Sequence, residues 1–237
     1  MDTCNVLIKG LRDGTYFSGA SFMNVYNFIY IITSALMCGF GLLYNSNPVI
    51  LGSMLVSPLG SPIFRAATGL ITNDSKYFLL SLFALFVLIS FSYLVGVLMG
   101  ILNRATKYFE TPTKEMDARV TVKRIITDIM IALLAGLTIA IGSYNKNIVV
   151  IAGINLIISF LPPLVNSGLY HGFFIYELFQ KKYPEFIKKI ESIMKLKEEI
   201  QNKDNYLFEK GNTSFVLGMV NIIAVLISAS LTLIYMC

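Results

Sequence analysis

The sequence predicts an all-α integral membrane protein with about six transmembrane helices, and composition is the first reason. Of its 237 residues, 55% are hydrophobic and only 14% are charged, whereas about 25% are charged in a typical soluble domain. The second reason is the length of the uncharged stretches, because a spanning helix needs ~20 apolar residues. These stretches cover residues 14–64, 77–103, 129–145, 147–176 and 211–237. A soluble core could not bury so many long apolar segments.

The third reason is an internal repeat at a spacing of 100 residues. Its members pair as Tyr44 with Tyr144, Asn45 with Asn145, Asn47 with Asn147, Val49 with Val149 and Pro62 with Pro162. Each copy holds three predicted spans, and three is an odd number, so two consecutive copies would cross the membrane in opposite directions. Such an inverted repeat is found in many transporters.

The predicted elements follow in order from a short leader at residues 1–23. The first three-helix unit occupies residues 24–102, a polar link with a short interfacial helix occupies 103–124, and the second unit occupies 125–235. The six spans are predicted at about residues 24–43, 48–70, 77–101, 125–142, 147–170 and 214–235. The third span has no polar feature, so we expect it to contact lipid.

A charged segment is inserted into the second unit at about residues 177–210. Apolar residues recur at helical spacing behind Pro184, and two i,i+4 pairs follow, Glu185 with Lys189 and Glu191 with Lys195. This pattern predicts an amphipathic helix outside the membrane.

Proline breaks distinguish the second and fifth spans from the others. A proline inside a helix leaves a carbonyl group without its partner, which a membrane tolerates only where protein or a water-filled cavity covers it. We therefore expect the two breaks to approach each other near the centre of the fold and to line a substrate pathway. The candidate pathway residues are Asn45, Ser53, Ser57, Pro58, Ser61, Pro62, Arg65, Asp128, Asn155, Pro162, Pro163, Asn166 and Asn221.

Each of these residues also has a simpler interpretation. Asn45 is an ordinary turn residue at the end of a span, and the buried asparagines can bond between helices. Arg65 and Asp128 are the charges nearest the hydrocarbon, where a central charge costs about 2.5–3.5 kcal/mol. Their side chains can instead extend to the interface. The prolines can be simple kinks.

The distribution of basic residues predicts the orientation. In the six-span arrangement, 5 Lys and Arg lie on one side of the membrane and the remaining 14 of 19 on the other, in the links before the fourth and sixth spans. The 14-charge side is expected to be cytoplasmic, which places both termini outside. Because the lysines lie beside spans, the net charge of +5 favours contact with lipid headgroups over nucleic acid.

Cofactor and enzyme signatures are not found in the sequence. Cys4, Cys38 and Cys237 form no CxxC or Cys/His group with the single histidine, His171, so no metal site or cofactor is expected. There is no Ser/His, paired-Asp or HExxH arrangement either, so we do not expect an enzyme.

Four phrases together resemble the bacterial and archaeal "uncharacterised hydrophobic domain" family of membrane proteins. They are GLLYNSNPVILGSMLVSPLGSPI, EMDARVTVKRIITDIMIALLAGLTIAI, AGINLIISFLPPLVNSG and LGMVNIIAVLIS, and the resemblance covers about residues 24–235. It implies a polytopic membrane protein without a settled activity. Many members carry a soluble domain before the first span, which implies a cytoplasmic N-terminus, and they join the fifth and sixth spans by a short connection.

Two functions are compatible with this sequence. In the first, the protein is a transporter or channel for an ion or a small polar solute that passes between the two broken spans. In the second, it is a non-transporting scaffold or lipid-organising protein that acts through its cytoplasmic amphipathic helix. Membrane lipid is the expected partner in both cases, and an oligomer is compatible with either.

Overall fold

The computed structural model describes residues 24–121, 123–144, 160–182 and 204–236, and every regular element among them is an α-helix. These helices are α1 (Val25–Leu43), α2 (Asn47–Val56), α3 (Gly60–Ile71), α4 (Ser75–Thr106), α5 (Lys114–Ala118), α6 (Lys123–Tyr144), α7 (Leu161–Lys182) and α8 (Asp204–Met236). The predicted leader, the first part of the fifth span with Asn155, and the centre of the charged helix lie outside the described residues.

Three of the described helices, α1, α4 and α8, are long and apolar enough to cross a membrane. The helices α2 and α3 would form a fourth span if they are counted together, with a bend of 47° at their junction. The helix α6 carries a shorter apolar stretch, Ile126–Gly142. The long apolar helices are consistent with a membrane protein, although the described residues alone do not reach six spans.

Helix directions follow from contacts along each pair. The helix α1 runs parallel to α4, because the rings of Phe28 and Phe91 meet edge to face and Gly39 lies against Met99 further along. The helices α2 and α3 return in the opposite direction. At its second half, α4 also runs parallel to α7, where Arg104 bonds Glu177 at 3.2 Å.

The helix α8 runs antiparallel to α7, with Phe208 beside Phe174 and Ser214 beside Pro163. The helix α6 runs with α8, because Asp117, just before α6, bonds Lys210, and Gly136 packs on Ser228 further along. We call the end of the bundle that holds the polar link the link end, and the opposite end the far end.

The helix α7 is the centre of the bundle. All residues from Leu161 to Tyr170 are buried, and α7 contacts α1, α2, α4 and α8. Tyr170 and Phe173 are fully buried and are the largest such side chains in the described part of the chain. Its buried residues include the polar side chains of Asn166, Ser167 and His171 as well as apolar ones.

The helix α4 is packed more closely than its sequence suggested. Gly96 and Gly100 face Gly168 and Gly172 of α7, so two GxxxG motifs meet. A Cβ atom added to Gly100 would lie 2.5 Å from the carbonyl oxygen of Leu169. Small residues at this spacing let helix backbones approach closely. The helix α4, which we expected to contact lipid, is therefore packed against α7 on one face and is exposed on the face that bears residues such as Phe86.

The ends of α7 and α8 extend beyond the predicted spans into the predicted charged helix. The helix α8 begins at Asp204 instead of residue 214, and α7 continues to Lys182. These turns pack on each other, and Leu207 is buried. Their charges remain compatible with close packing because they are paired with charges on other elements.

Candidate functional site

The first helix break has a local cause at Ser57 and Pro58. The amide of Ser57 makes the last bond of α2, to the carbonyl oxygen of Ser53 at 3.2 Å. Pro58 has no N–H group and cannot continue the series. The hydroxyl oxygen of Ser57 accepts a bond from the amide of Leu59 at 3.5 Å, and α3 begins at Gly60. Proline and serine chemistry thus sets both the end of one helix and the start of the next.

The second break lies at the start of α7. Pro162 and Pro163 occupy its first turn, directly after Leu161, where a missing N–H group is not needed. The proline pair therefore begins a described helix, whereas we expected it to interrupt a continuous one. Pro62 has the same position near the start of α3.

The start of α7 lies beside the middle of both long neighbours. Gly168 faces Gly96 of α4, and the carbonyl oxygen of Pro163 accepts a bond from Ser214 of α8 at 2.9 Å. Leu161 lies seven residues before Gly168, about 10 Å along the helix axis. It therefore lies near residue 90 of α4, which is the midpoint of Ser75–Thr106.

The first break lies at the same level along α4. Gly69 of α3 packs on Phe78 near the start of α4, and the two helices are antiparallel. Gly60 lies nine residues before Gly69, about 14 Å along the axis, so α3 begins beside residue 87. Both α3 and α7 therefore begin near the midpoint of the 32-residue helix α4.

Polar side chains are concentrated at the second break. The Nδ2 amide of Asn166 donates to the carbonyl oxygen of Met116 at 3.1 Å and to the hydroxyl of Ser214 at 3.2 Å. Asn166, Ser167 and Ser214 are completely buried. The hydroxyl of Ser214 in turn donates to Pro163, so the interior supplies the hydrogen bonds that lipid cannot supply.

Three buried oxygen atoms near this break accept no hydrogen bond in the described part of the chain. They are Oδ1 of Asn166, Oγ of Ser167 and Oδ1 of Asn221. Asn221 lies three residues beyond Gly218, which packs on Leu164, so it is close to the start of α7. Leaving a buried acceptor unsatisfied costs about 1–3 kcal/mol. Such a group indicates strain or a binding role.

The remaining predicted residues are distributed more widely. Ser53 donates to the carbonyl oxygen of Ile50 within its own helix at 2.6 Å. Ser61 and Arg65 are half-buried on α3, and Asp128 is half-buried on α6. Asn45 lies at the link end, where its Oδ1 accepts a bond from the amide of Glu115 at 3.0 Å. It is therefore a turn residue that holds the link, as its simpler interpretation predicted.

A cluster at the link end was not predicted from the sequence. The carboxylate of Asp117 accepts a bond from the hydroxyl of Tyr170 at 2.9 Å and from the amine of Lys210 at 2.5 Å. Spacing offered a signal, because Asn166 and Tyr170 are four residues apart on α7, and Ser214 and Asn221 are seven apart on α8. Residues at these spacings share one helix face.

The short helix α5 closes the link end of this site. It begins after Thr113, whose hydroxyl accepts a bond from the amide of Met116 at 3.3 Å and donates to the carbonyl oxygen of Leu42 at 2.6 Å. Met116 is fully buried beside Asn166. The contacts to α1, α7 and α8 hold α5 over the polar side chains.

The polar groups around Asn166 that could bind a ligand are uncharged amide and hydroxyl oxygens. Among the described residues, no group of three or more His, Cys, Asp and Glu side chains could hold a metal ion. Hydroxyl, amide and carbonyl oxygens replace the hydration shell of alkali cations in channels. They also accept hydrogen bonds from polar solutes.

The chain was compared with protein-family profiles, curated proteins and solved structures. Neither the curated proteins nor the solved structures contain a significant match to this chain. The profile of a domain of unknown function, DUF389, matches residues 54–227, which include both helix breaks and the site around Asn166. The chain therefore belongs to the DUF389 family of proteins, as the sequence resemblance predicted.

Proposed function

We propose that this protein transports an ion or a small polar solute across a membrane, along a pathway between the two helix breaks. The observation that supports this proposal best is the common level of the breaks beside the middle of α4. Broken helices that end at mid-membrane are the usual position of transporter binding sites. The unpaired oxygens of Asn166, Ser167 and Asn221 would then be ligands for the solute.

The proposed architecture is an inverted repeat of three spans and three spans. The helices α1, α2–α3 and α4 alternate in direction, and α6, α7 and α8 alternate in the opposite sense. The half-helices α3 and α7 begin at Gly60 and Leu161, respectively, with Pro62 and Pro162 at their starts. The predicted fifth span, about residues 147–170, is part of this proposal, and its first half lies outside the described residues.

The proposed solute binds through neutral ligands. Asn166 and Asn221 offer amide oxygens and Ser167 a hydroxyl, which suit an alkali cation or the N–H and O–H groups of a polar solute. The N-terminus of α7 carries a partial positive charge that repels a cation. A bound cation would therefore lie beside the side-chain oxygens, away from the axis of α7. We propose no enzymatic role for the site. In the proposed orientation, the lysine-rich links lie in the cytoplasm.

The test is solute flux through the purified protein in liposomes. Stopped-flow swelling would compare isosmotic potassium acetate, sodium acetate, urea and glycerol, with a protonophore present so that acetate balances the charge of an entering cation, and with protein-free liposomes as the baseline. At least one of these solutes should enter faster through the wild-type protein. In Asn166→Leu that flux should fall by about tenfold, which corresponds to the loss of ~1.4 kcal/mol of ligand binding.

Matched variants separate the pathway from general damage. Asn205→Leu, at an exposed position on α8, and Pro48→Ala, at the first turn of α2, should retain wild-type flux. The combination Pro58→Ala with Pro163→Ala should lose it. A folded wild-type protein that passes none of the four solutes would contradict the proposal, and the scaffold function through the charged helix would then replace it.

A further inference from the structure

A groove runs between α4 and α8 on the side of α7 that bears His171. Its volume is about 670 Å³, within the range of about 300–1,000 Å³ for small-molecule sites. Leu82, Leu85, Phe86, Ile89, Ser90 and Leu94 from α4 line one wall, and Phe215 and Met219 from α8 line the other. Apart from Ser90, these wall side chains are apolar.

One end of the groove carries a chain of three polar side chains. The hydroxyl of Tyr93 lies 2.9 Å from Nδ1 of His171, and Nε2 of His171 lies 3.2 Å from Oδ1 of Asn212. An amide oxygen can only accept a hydrogen bond. Nε2 therefore carries a proton and donates to Asn212, and the hydroxyl of Tyr93 is the partner of Nδ1. Both nitrogens of the imidazole are bonded.

The imidazole is held in place by its surroundings. A Cβ atom added to Gly211 would lie 2.6 Å from the ring of His171, so the glycine provides the space that the ring occupies. Phe208 packs on the ring at 5.4 Å between centroids. Asn212 is exposed, and its Nδ2 group makes no bond to another described residue. A fixed hydrogen-bond donor thus lies at the end of an apolar groove.

The groove opens toward the medium around the bundle. Phe86 and Leu94, at its rim, are 67% and 53% exposed, and both walls belong to helices that are long enough to cross a membrane. The polar end lies toward the link end, where the ion pairs Arg104–Glu177 and Lys210–Asp117 are found. Charged groups of this kind mark the edge of the hydrocarbon.

The groove is long enough to hold an acyl chain. Leu82 and Leu94 are twelve residues apart on α4, about 18 Å along the helix axis. They lie on opposite sides of the midpoint of Ser75–Thr106, and the hydrocarbon core of a bilayer is about 30 Å thick. An acyl chain that begins at the polar end would therefore enter the groove from the leaflet at the link end and reach the middle of the bilayer within it.

We propose that the groove binds a membrane phospholipid, with one acyl chain between α4 and α8 and an ester carbonyl that accepts a bond from the Nδ2 group of Asn212. The polar end has the right chemistry, because the amide of Asn212 is an uncharged donor that its bond to His171 holds at the link end of the groove. This site is separate from the proposed solute pathway and does not depend on transport.

The test is native mass spectrometry of the protein purified in detergent with palmitoyl-oleoyl phosphatidylethanolamine. The wild-type protein should retain one lipid molecule. Leu94→Trp fills the groove and should lower this retention by about tenfold. Leu98→Trp is the matched control, because Leu98 is 61% exposed on the same helix and does not line the groove; it should retain the lipid.

Asn212→Leu tests the polar contact. It should weaken retention about three- to tenfold, the equivalent of one hydrogen bond at about 0.5–1.5 kcal/mol. Equal retention by Leu94→Trp and Leu98→Trp would overturn the proposal. A wild-type protein that retains no lipid would also overturn the proposal. A wild-type dimer that Leu94→Trp dissociates would overturn it too, because the occupant of the groove would then be a second copy of the chain.

Discussion

Gly96 of α4 and Gly168 of α7 face each other with no side chain between them. A Cβ atom added to Gly168 would lie 2.9 Å from the Cα atom of Gly96. The contact repeats one turn later at Gly100 and Gly172, and the two pairs set the register of α7 against α4. This register determines which residues of α4 lie beside the start of α7, where Pro162 and Pro163 are found.

Gly168→Ala should destabilise the fold. The atoms around the new methyl group are backbone atoms of α4, which cannot move aside as a side chain can, and overpacking of this kind costs about 1–3 kcal/mol. The apparent melting temperature in detergent should fall by roughly 2–10 °C. The control is Gly52→Ala, where the nearest atom to the added Cβ is Cε of Met37 at 4.0 Å. Equal melting temperatures for the two variants would contradict the close crossing.

Cysteine labelling should show that the broken pair α2–α3 crosses the membrane. Asn45 and Asn73 are exposed turn residues with φ angles of 57° and 53°, and they lie at opposite ends of the pair. An impermeant maleimide should therefore label Asn45→Cys and Asn73→Cys from opposite faces, in a background with Cys4→Ser and Cys237→Ser. Labelling of both positions from one face would mean that the pair is a re-entrant loop.

The native cysteines test the number of spans. In the wild-type protein, Cys38 is fully buried and should remain unlabelled. The six-span arrangement predicts that Cys4 and Cys237 react from the same face of the membrane. Reaction from opposite faces would require an odd number of spans.

Tyr170→Phe should reveal how strongly α5 is held over the site. The substitution removes the 2.9 Å bond to Asp117 and keeps the ring. Bonds to charged groups contribute about 1.5–3 kcal/mol, and partial exposure of Asp117 should reduce this to about 1–2 kcal/mol. Thermal unfolding would measure the loss. Tyr108→Phe, at a 79% exposed position, should change nothing, and an equal effect of both variants would show that the bond to Asp117 contributes nothing specific.

The protonation state of His171 can be measured directly, because it is the single histidine of the chain. Nitrogen NMR of histidine-labelled protein, purified with a histidine-free tag, should show a neutral ring with the proton on Nε2. Gly211→Ala should alter this signal, because its methyl group would occupy the space of the ring. A proton on Nδ1 in the wild-type protein would contradict the hydrogen-bond chain from Tyr93 to Asn212.

The break at Pro58 could be predicted from the sequence because its cause is local. Pro58 cannot donate a backbone bond wherever it stands. Pro162 and Pro163 favour the first turn of a helix in any context, and α7 begins with them. Helices long and apolar enough to span a membrane followed in the same way from the long uncharged stretches. The level at which α3 and α7 begin could not be predicted, since it depends on which residues of α4 and α8 lie beside them.

The sequence by itself determined the family, the long apolar helices and the break at Pro58, since each depends on composition or on neighbouring residues. Only the tertiary structure decided which side chains meet. Asp117 and Lys210 are 93 residues apart, and Gly96 and Gly168, which lie on different helices, are 72 residues apart in the chain. A helix sequence alone does not reveal which of its faces packs against which partner. Backbone approach and the pairing of buried polar groups make that choice, and both exist only once the helices have assembled.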